Sequence, residues 1–177
     1  FRDSFKRART LGHRLSDLRI NDLYLFLIFD NRSHSMPTHA EKKILPYTPE
    51  QLFDLIADVA HYSEFLPWVE STNTYDYQDN SFTADVMIGY KIFTYPYKCR
   101  VHLVPKERID IEYLTGPFHY LNNHWILKPI NKKLTEIDFY IDFEFNNPML
   151  QSLLTPVFSE AVSRMIHAFE KRAAALY

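Results

Sequence analysis

Glu136-Ile-Asp-Phe-Tyr-Ile-Asp-Phe-Glu-Phe145 and the segment that follows it, Pro148 to Leu176, decide the fold. In the first, Ile137, Phe139, Ile141, Phe143 and Phe145 alternate with Glu136, Asp138, Tyr140, Asp142 and Glu144. Period-two alternation is the mark of an antiparallel strand with one face in the core and one in water. In the second, Leu150, Leu153, Leu154, Val157, Phe158, Ala161, Val162, Met165, Ile166 and Phe169 recur at three- and four-residue steps, opposite Glu160, Ser163, Arg164, His167 and Lys171. That is one apolar stripe on a helix. The pair predicts a strand running into a long amphipathic helix over 148–176, which Pro156 kinks or restarts.

Working outward, the strand pattern repeats upstream. Val69–Tyr77 sets Val69, Ser71, Asn73, Tyr75 and Tyr77 on one face. Phe82, Ala84, Val86 and Ile88 alternate with Thr83, Asp85 and Met87, and Tyr95, Tyr97, Cys99, Val101 and Leu103 with Lys98, Arg100 and His102. Ile109, Ile111 and Tyr113 continue the series around Asp110 and Glu112. Asp79-Asn80, Pro105-Lys106 and Asn131-Lys132 supply turns between the runs. Before them, Thr38–Leu45 reads as a short strand, and Thr48-Pro49-Glu50-Gln51 as a capped helix start with Leu52, Phe53, Ile56 and Val59 on its buried face. A second short helix, Val59–Phe65, precedes Pro67. The result is an α+β architecture: a curved antiparallel sheet of six or seven strands wrapped on a long C-terminal helix. Space left between helix and sheet is the natural ligand site.

Composition narrows the function. The chain has 177 residues, a formal charge of -2 and 46% apolar residues, enough for one domain with a real core. No broad basic field favours nucleic acid, and DNA binding is not expected. Cys99 is the single cysteine, so no internal disulfide framework or multi-cysteine metal site exists. Three glycines leave no Gly-rich phosphate cradle. The 14 Phe, 12 Tyr and 2 Trp are the positive signal. Residues 1–35 carry seven basic and four acidic groups, while 36–177 is net -5. Leu23–Phe29 is an apolar run too short for a bilayer span of ~20 residues. We read 1–35 as an N-terminal extension, non-domain or a targeting leader, ahead of a ligand-binding domain at 36–177.

Specific strings then carry a resemblance. Tyr62-Ser-Glu-Phe-Leu-Pro-Trp68, with Ser71 shortly after, resembles the Tyr-x-x-Phe-Leu-Pro-Trp signature of the START-like coenzyme Q-binding and ribosome-association-toxin family, within the polyketide cyclase-dehydrase superfamily. Gly116-Pro117-Phe118, then Leu121 and Trp125, is similar to that family's strand-entry motif. Where the family usually has Cys after the Trp, this chain has Val69, so an apolar wall stands there instead of a thiol. The resemblance implies a helix-grip fold with a hydrophobic cavity, and a ubiquinone-binding lipid carrier or chaperone supporting quinone synthesis and respiratory electron transport. It implies two alternatives: an inhibitor of ribosome association that binds the large subunit, and a cyclase/aromatase-like enzyme using the same cavity. The location it implies is the cytoplasm at the inner membrane in a bacterium, or the matrix side of the mitochondrial inner membrane in a eukaryote.

Catalytic apparatus is not evident. The eight histidines are scattered, with no helical His pair flanking a Glu, so no metal site is expected. Asp138, Asp142 and Glu144 belong to a solvated strand face, and Cys99 reads as a buried, inert thiol. Ubiquinone is therefore expected as a bound ligand beside no catalytic cofactor. The expected cavity residues are Phe65, Trp68, Val69, Tyr90, Phe93, Tyr95 and Tyr97 from the sheet side, Phe118, Leu121 and Trp125 from the later strand, and Leu153, Val157 and Ala161 from the helix. Tyr95 and Tyr97 are expected to donate to quinone carbonyls, and exposed Phe65, Leu66 and Trp68 to touch a bilayer peripherally.

Overall fold

A computed structural model describes residues 37–90 and 93–177, with the backbone alone for Tyr90 and Phe93. The expectations for 1–35 lie outside the described residues. Strand β1, Thr38–Leu45, leads through Thr48 into helix α1, Pro49–Ala57. The capping box forms as its residues require: the Gln51 N–H donates to Thr48 Oγ1 at 3.3 Å, and the Thr48 N–H to Gln51 Oε1 at 2.9 Å. Leu52, Phe53, Leu55 and Ile56 are the buried face. A 3-10 segment, Val59–Glu64, takes the place expected for a second short helix.

Six strands follow: β2 Val69–Gln78, β3 Ser81–Tyr90, β4 Phe93–Val104, β5 Arg108–Thr115, β6 Phe118–Asn131 and β7 Leu134–Phe145. The sheet has seven antiparallel strands in the order β1-β7-β6-β5-β4-β3-β2. Register shifts at Val69/Ser71, Tyr75/Gln78, Lys98/Cys99, Phe118/Tyr120 and Pro129/Asn131 insert the extra residues that bend strands. Two of these shifts fall in β2, so its expected single face from Val69 to Tyr77 does not hold: Tyr77 is exposed while Val69 packs on the core. The turn between β5 and β6 needs Gly116, whose φ is 146°; a Cβ there would sit 3.0 Å from the Pro96 carbonyl oxygen and 3.1 Å from Tyr97 Cα.

The C-terminal segment is two helices. Helix α2, Pro148–Leu154, passes through a 3-10 turn at Thr155–Val157 into α3, Phe158–Leu176, so Pro156 restarts the helix. Gln151 joins the strand end to this turn. The Phe145 N–H donates to Gln151 Oε1 at 2.8 Å, and Gln151 Nε2 donates to Thr155 Oγ1 at 3.1 Å. Thr135, fully buried, donates to the Tyr47 carbonyl at 2.8 Å and ties β7 to the start of α1.

Helix α3 grips the sheet near its C-terminal end. Val162, Phe169 and Ala173 are buried with Ile166 packed beside them. Phe169 stands edge-on to Trp125 (5.2 Å), Tyr62 (5.3 Å) and Phe65 (5.3 Å). Glu170 pairs with Lys43 of β1, and Arg172 with Glu64 at 2.9 Å while lying over the Phe65 ring. Truncating Phe169 to alanine removes the ring at which these elements meet. We expect a loss of about 3–5 kcal/mol in urea unfolding; a loss under about 1 kcal/mol contradicts this placement.

Candidate functional site

Two adjoining cavities lie between the strands and the C-terminal helices. The inner one, about 220 Å³, is roofed by Met165 and Phe169. Its floor is the concave sheet face: Val86 and Ile88 of β3, Tyr97, Cys99 and Val101 of β4, Ile111 of β5, with Leu121, Asn123 and Trp125 of β6. Phe139, Ile141 and Phe143 of β7 close one side, and Tyr62, Leu66 and Val69 the other. The outer one, a groove of about 260 Å³, runs between Trp68 and Leu154, Val157, Phe158 and Ala161, with Glu160 and Arg164 at its rim. Ile88 and Phe143 line both, so these two side chains form the partition.

The inner wall is almost wholly apolar, and its few polar groups are specific. The Tyr62 hydroxyl donates to the Ile56 carbonyl. Burial drives the Tyr97 phenol well above its ordinary range, helped by neighbouring Cys99, so it remains an O–H. Burial also pushes the Cys99 thiol up to about 11, against a smaller downward pull from Tyr97. Asn123 Nδ2 donates to the Tyr140 carbonyl at 2.9 Å. Tyr97 is braced by Tyr113, stacked at 6.1 Å, and by Phe118, edge-on at 6.0 Å. No ionised group lines the inner cavity among the described residues, so it holds neutral chemistry.

The expected residues divide by position. Val69, Tyr97, Phe118, Leu121 and Trp125 line the inner cavity, and Trp68, Val157 and Ala161 the outer groove. Phe65 packs behind them on Tyr62 and Phe169. Tyr95 pairs with Ile88 across β3 and β4 but lines neither space, so of the two expected donors only Tyr97 faces the cavity. Tyr90 and Phe93 are strand ends whose side chains lie outside the description. Leu153 corrects the expectation: it is 43% exposed and forms no wall. Leu150 and Leu154, four apart on α2, are the inward pair, and Leu153 falls a third of a turn aside. Leu66 is a second correction. Its N–H donates to the Tyr62 carbonyl at 2.8 Å, which tucks the side chain into the cavity wall instead of toward solvent.

Trp68, on the wall of the outer groove, has a φ of 67°, a left-handed conformation that costs a bulky residue of order 1–3 kcal/mol. Its carbonyl accepts from the Gly89 N–H at 2.8 Å, which holds the turn. Asn123 was not expected, although the alternation of β6 already sets it on the face of Leu121 and Trp125. Met165 and Phe143 were read only as core. Asp138, Asp142 and Glu144 lie on the strand face opposite the cavity; Asp138 is held by Lys42 at 3.3 Å and Lys128 at 3.4 Å. Among the described residues, no cluster of His, Cys, Asp or Glu has the arrangement of a metal site.

A separate, open depression of about 1030 Å³ lies at the far end of the sheet, among Thr48–Glu50, Lys106–Arg108 and Ile126–Lys132. Lys106, Arg108, Lys128 and Lys132 rim it, with Glu50 and Glu107. Glu50 pairs with Lys106 at 3.1 Å and Arg108 with Asp110 at 2.7 Å, so part of that charge is spent internally.

The family described as polyketide cyclase/dehydrase and lipid transport matches residues 45–170. The chain is 32% identical over 143 residues to the ribosome association toxin RatA of Pseudomonas aeruginosa, covering 80% of this chain and 99% of that protein. It is 27% identical over 143 residues to the coenzyme Q-binding protein COQ10 homolog B, mitochondrial, of Xenopus laevis, covering 78% of this chain and 59% of that one. The Zhui aromatase/cyclase of Streptomyces sp. R1128 superposes with a TM-score of 0.70 at 14% identity, over 78% of this chain and 94% of that one, a likeness of fold.

Thiol chemistry checks the closed inner wall. At pH 8 the native Cys99 is expected to alkylate at least roughly a hundredfold more slowly than in the urea-unfolded chain, because the thiolate is the nucleophile. Equal rates in the two states contradict a buried, protonated thiol.

Proposed function

Because this chain belongs to the polyketide cyclase/dehydrase and lipid transport family, we propose that it is a non-catalytic carrier of a prenylquinone such as ubiquinone. The observation that carries this reading is the apolar inner cavity adjoining a largely apolar groove, with only the Ile88 and Phe143 side chains between them. Size supports the division of labour. Each space alone falls short of the roughly 300–1,000 Å³ typical for drug-sized ligands, and the two together reach it. A substituted ring fits the inner cavity, flanked by Tyr97 and Trp125. The isoprenoid tail leaves past Trp68 along the groove, each methylene equivalent gaining about 0.8 kcal/mol on burial. A tail of many units is longer than the groove, so its far end stays in a membrane or a second apolar surface. Exposed Met149 and Leu153, four apart on α2 beside the groove, are apolar surface at that exit. No helix among the described residues is long and apolar enough to cross a membrane, which fits contact from one side.

A second reading has its own support. A relative is named for ribosome association, and the basic-rimmed depression at Lys106, Arg108, Lys128 and Lys132 offers a surface for an anionic partner. This surface lies apart from the cavity, so the two activities are separable by mutation.

The test is extraction of the purified chain with organic solvent, followed by absorption and mass measurement. Stoichiometric quinone is expected, and Ile88→Trp, which fills the partition, is expected to lose at least nine-tenths of it while the chain stays folded. Absence of any prenyl lipid in the wild type overturns the carrier reading. Sedimentation of the Ile88→Trp variant with the large ribosomal subunit, lost in a Lys106→Glu/Lys132→Glu double variant, supports the second reading instead.

A further inference from the structure

The outer groove opens at a surface with no charge of its own. Between Glu144 and Glu160 the chain carries no ionisable side chain, although 24% of its residues are charged. Helix α2 lies in this stretch, with Leu150 buried beneath it and Leu154 on the groove wall. Met149 and Leu153, four apart on the outward side, are 55% and 43% exposed, and Pro156 is exposed just beyond. The polar groups beside them are spent inside the protein. Asn147 Oδ1 accepts from the Met149 N–H at 2.9 Å, the Asn146 N–H donates to the Pro117 carbonyl at 2.9 Å, and Gln151 is held between Phe145 and Thr155. At the groove rim Glu160 and Arg164 pair with each other. Ile44, Val104 and Ile130 are also exposed, but they sit beside charge: Ile44 follows Lys42 and Lys43, Val104 precedes Lys106, and Ile130 lies between Lys128 and Lys132.

We propose that this face is where the protein meets a lipid bilayer, with Met149 and Leu153 entering a zwitterionic surface that need contain no anionic lipid. The inference rests on the carrier reading and deepens it by naming the surface from which the cargo is drawn. Three observations favour lipid over other occupants. Continuity is the first: Leu154 lines the groove and Leu153 is its neighbour, so a tail leaving past Trp68 emerges beside the inserted side chains. Charge is the second. Residues 36–177 are net -5, so an anionic surface repels the domain, and the basic rim of Lys106, Arg108, Lys128 and Lys132 lies at the opposite end of the sheet. Docking through that rim would turn the groove mouth away from the membrane. Area is the third. Two half-exposed side chains and a proline fall far short of the roughly 800 Å² per partner that a stable protein interface buries. They suit shallow, reversible contact, driven by apolar burial with no counter-charge to hold it. A carrier that must leave with its cargo needs contact of that kind.

The experiment is flotation of the full chain with vesicles of phosphatidylcholine alone, or of phosphatidylcholine mixed with phosphatidylglycerol, at low and at high salt. The wild type is expected to float with phosphatidylcholine, no better with the anionic mixture, and to stay bound at high salt. Met149→Glu/Leu153→Glu is expected to float at least about tenfold less with either. Both side chains are exposed, and slow alkylation of Cys99 confirms that this variant is folded. No flotation of the wild type with phosphatidylcholine, or flotation that needs phosphatidylglycerol and is released by salt, overturns the inference. Undiminished flotation of the folded double variant overturns the choice of face, whatever residues 1–35 contribute. A wild-type dimer in equilibrium sedimentation that the double substitution dissociates assigns the face to a second copy and overturns the inference. Solvent extraction reads the carrier separately. Quinone in a wild type that does not float overturns only the docking face, and a floating wild type without prenyl lipid overturns only the carrier reading.

Discussion

The structure depends on where the C-terminal helix is fastened. Phe169 meets Trp125, Tyr62 and Phe65 edge-on, and Ala173 is fully buried beyond it. The pairs Glu170–Lys43 and Arg172–Glu64 add their attraction at the same end. Exposed ion pairs contribute little singly, so the aromatic cluster carries most of the hold. At the other end the helix meets the strands through a single ring pair, Phe158 edge-on to Phe143 at 4.9 Å. Pro156 breaks the helix there, and the bulged sheet curves away. A gap at one end and a clamp at the other are one constraint seen twice.

Much of this is legible in the residues. The alternation of Ile137 to Phe145 and the stripe from Leu150 to Phe169 are strong because burial on one face enforces them. The cap at Thr48 is local chemistry and needs no tertiary context. What failed did so where a local pattern meets a distant partner. The β2 alternation is interrupted by bulges whose cause lies in pairing with β3. Leu153 belongs to the stripe by spacing, yet the restart at Pro156 limits α2 to two turns, and of its leucines Leu150 and Leu154 face inward. Leu66 lies in a short loop ahead of Pro67, which suggests exposure until the turn closed on the Tyr62 carbonyl returns it to the core.

The candidate site was legible in part for the same reason. Aromatic residues on inward strand faces are readable as a group, but whether a ring fills space or borders it depends on the helix standing off. Tyr97 and Tyr95 are equivalent by period, and only Tyr97 borders the cavity. Asn123 carried a readable signal: a lone amide between Leu121 and Trp125 on a face otherwise apolar. Its amide nitrogen donates one N–H to the Tyr140 carbonyl, which holds the side chain on that face. The neutral wall around it, with Tyr97 and Cys99 held protonated by burial, suits binding and orientation of an uncharged guest over proton-transfer chemistry.

The most direct test of the gap is a crystal of the delipidated chain under xenon pressure, since apolar cavities of this size take up xenon. The account predicts xenon between Met165, Val101 and Trp125, displaced when a prenylquinone is added. A lattice in which Met165 and Phe169 close onto the β4 and β6 side chains, leaving no xenon there, contradicts it.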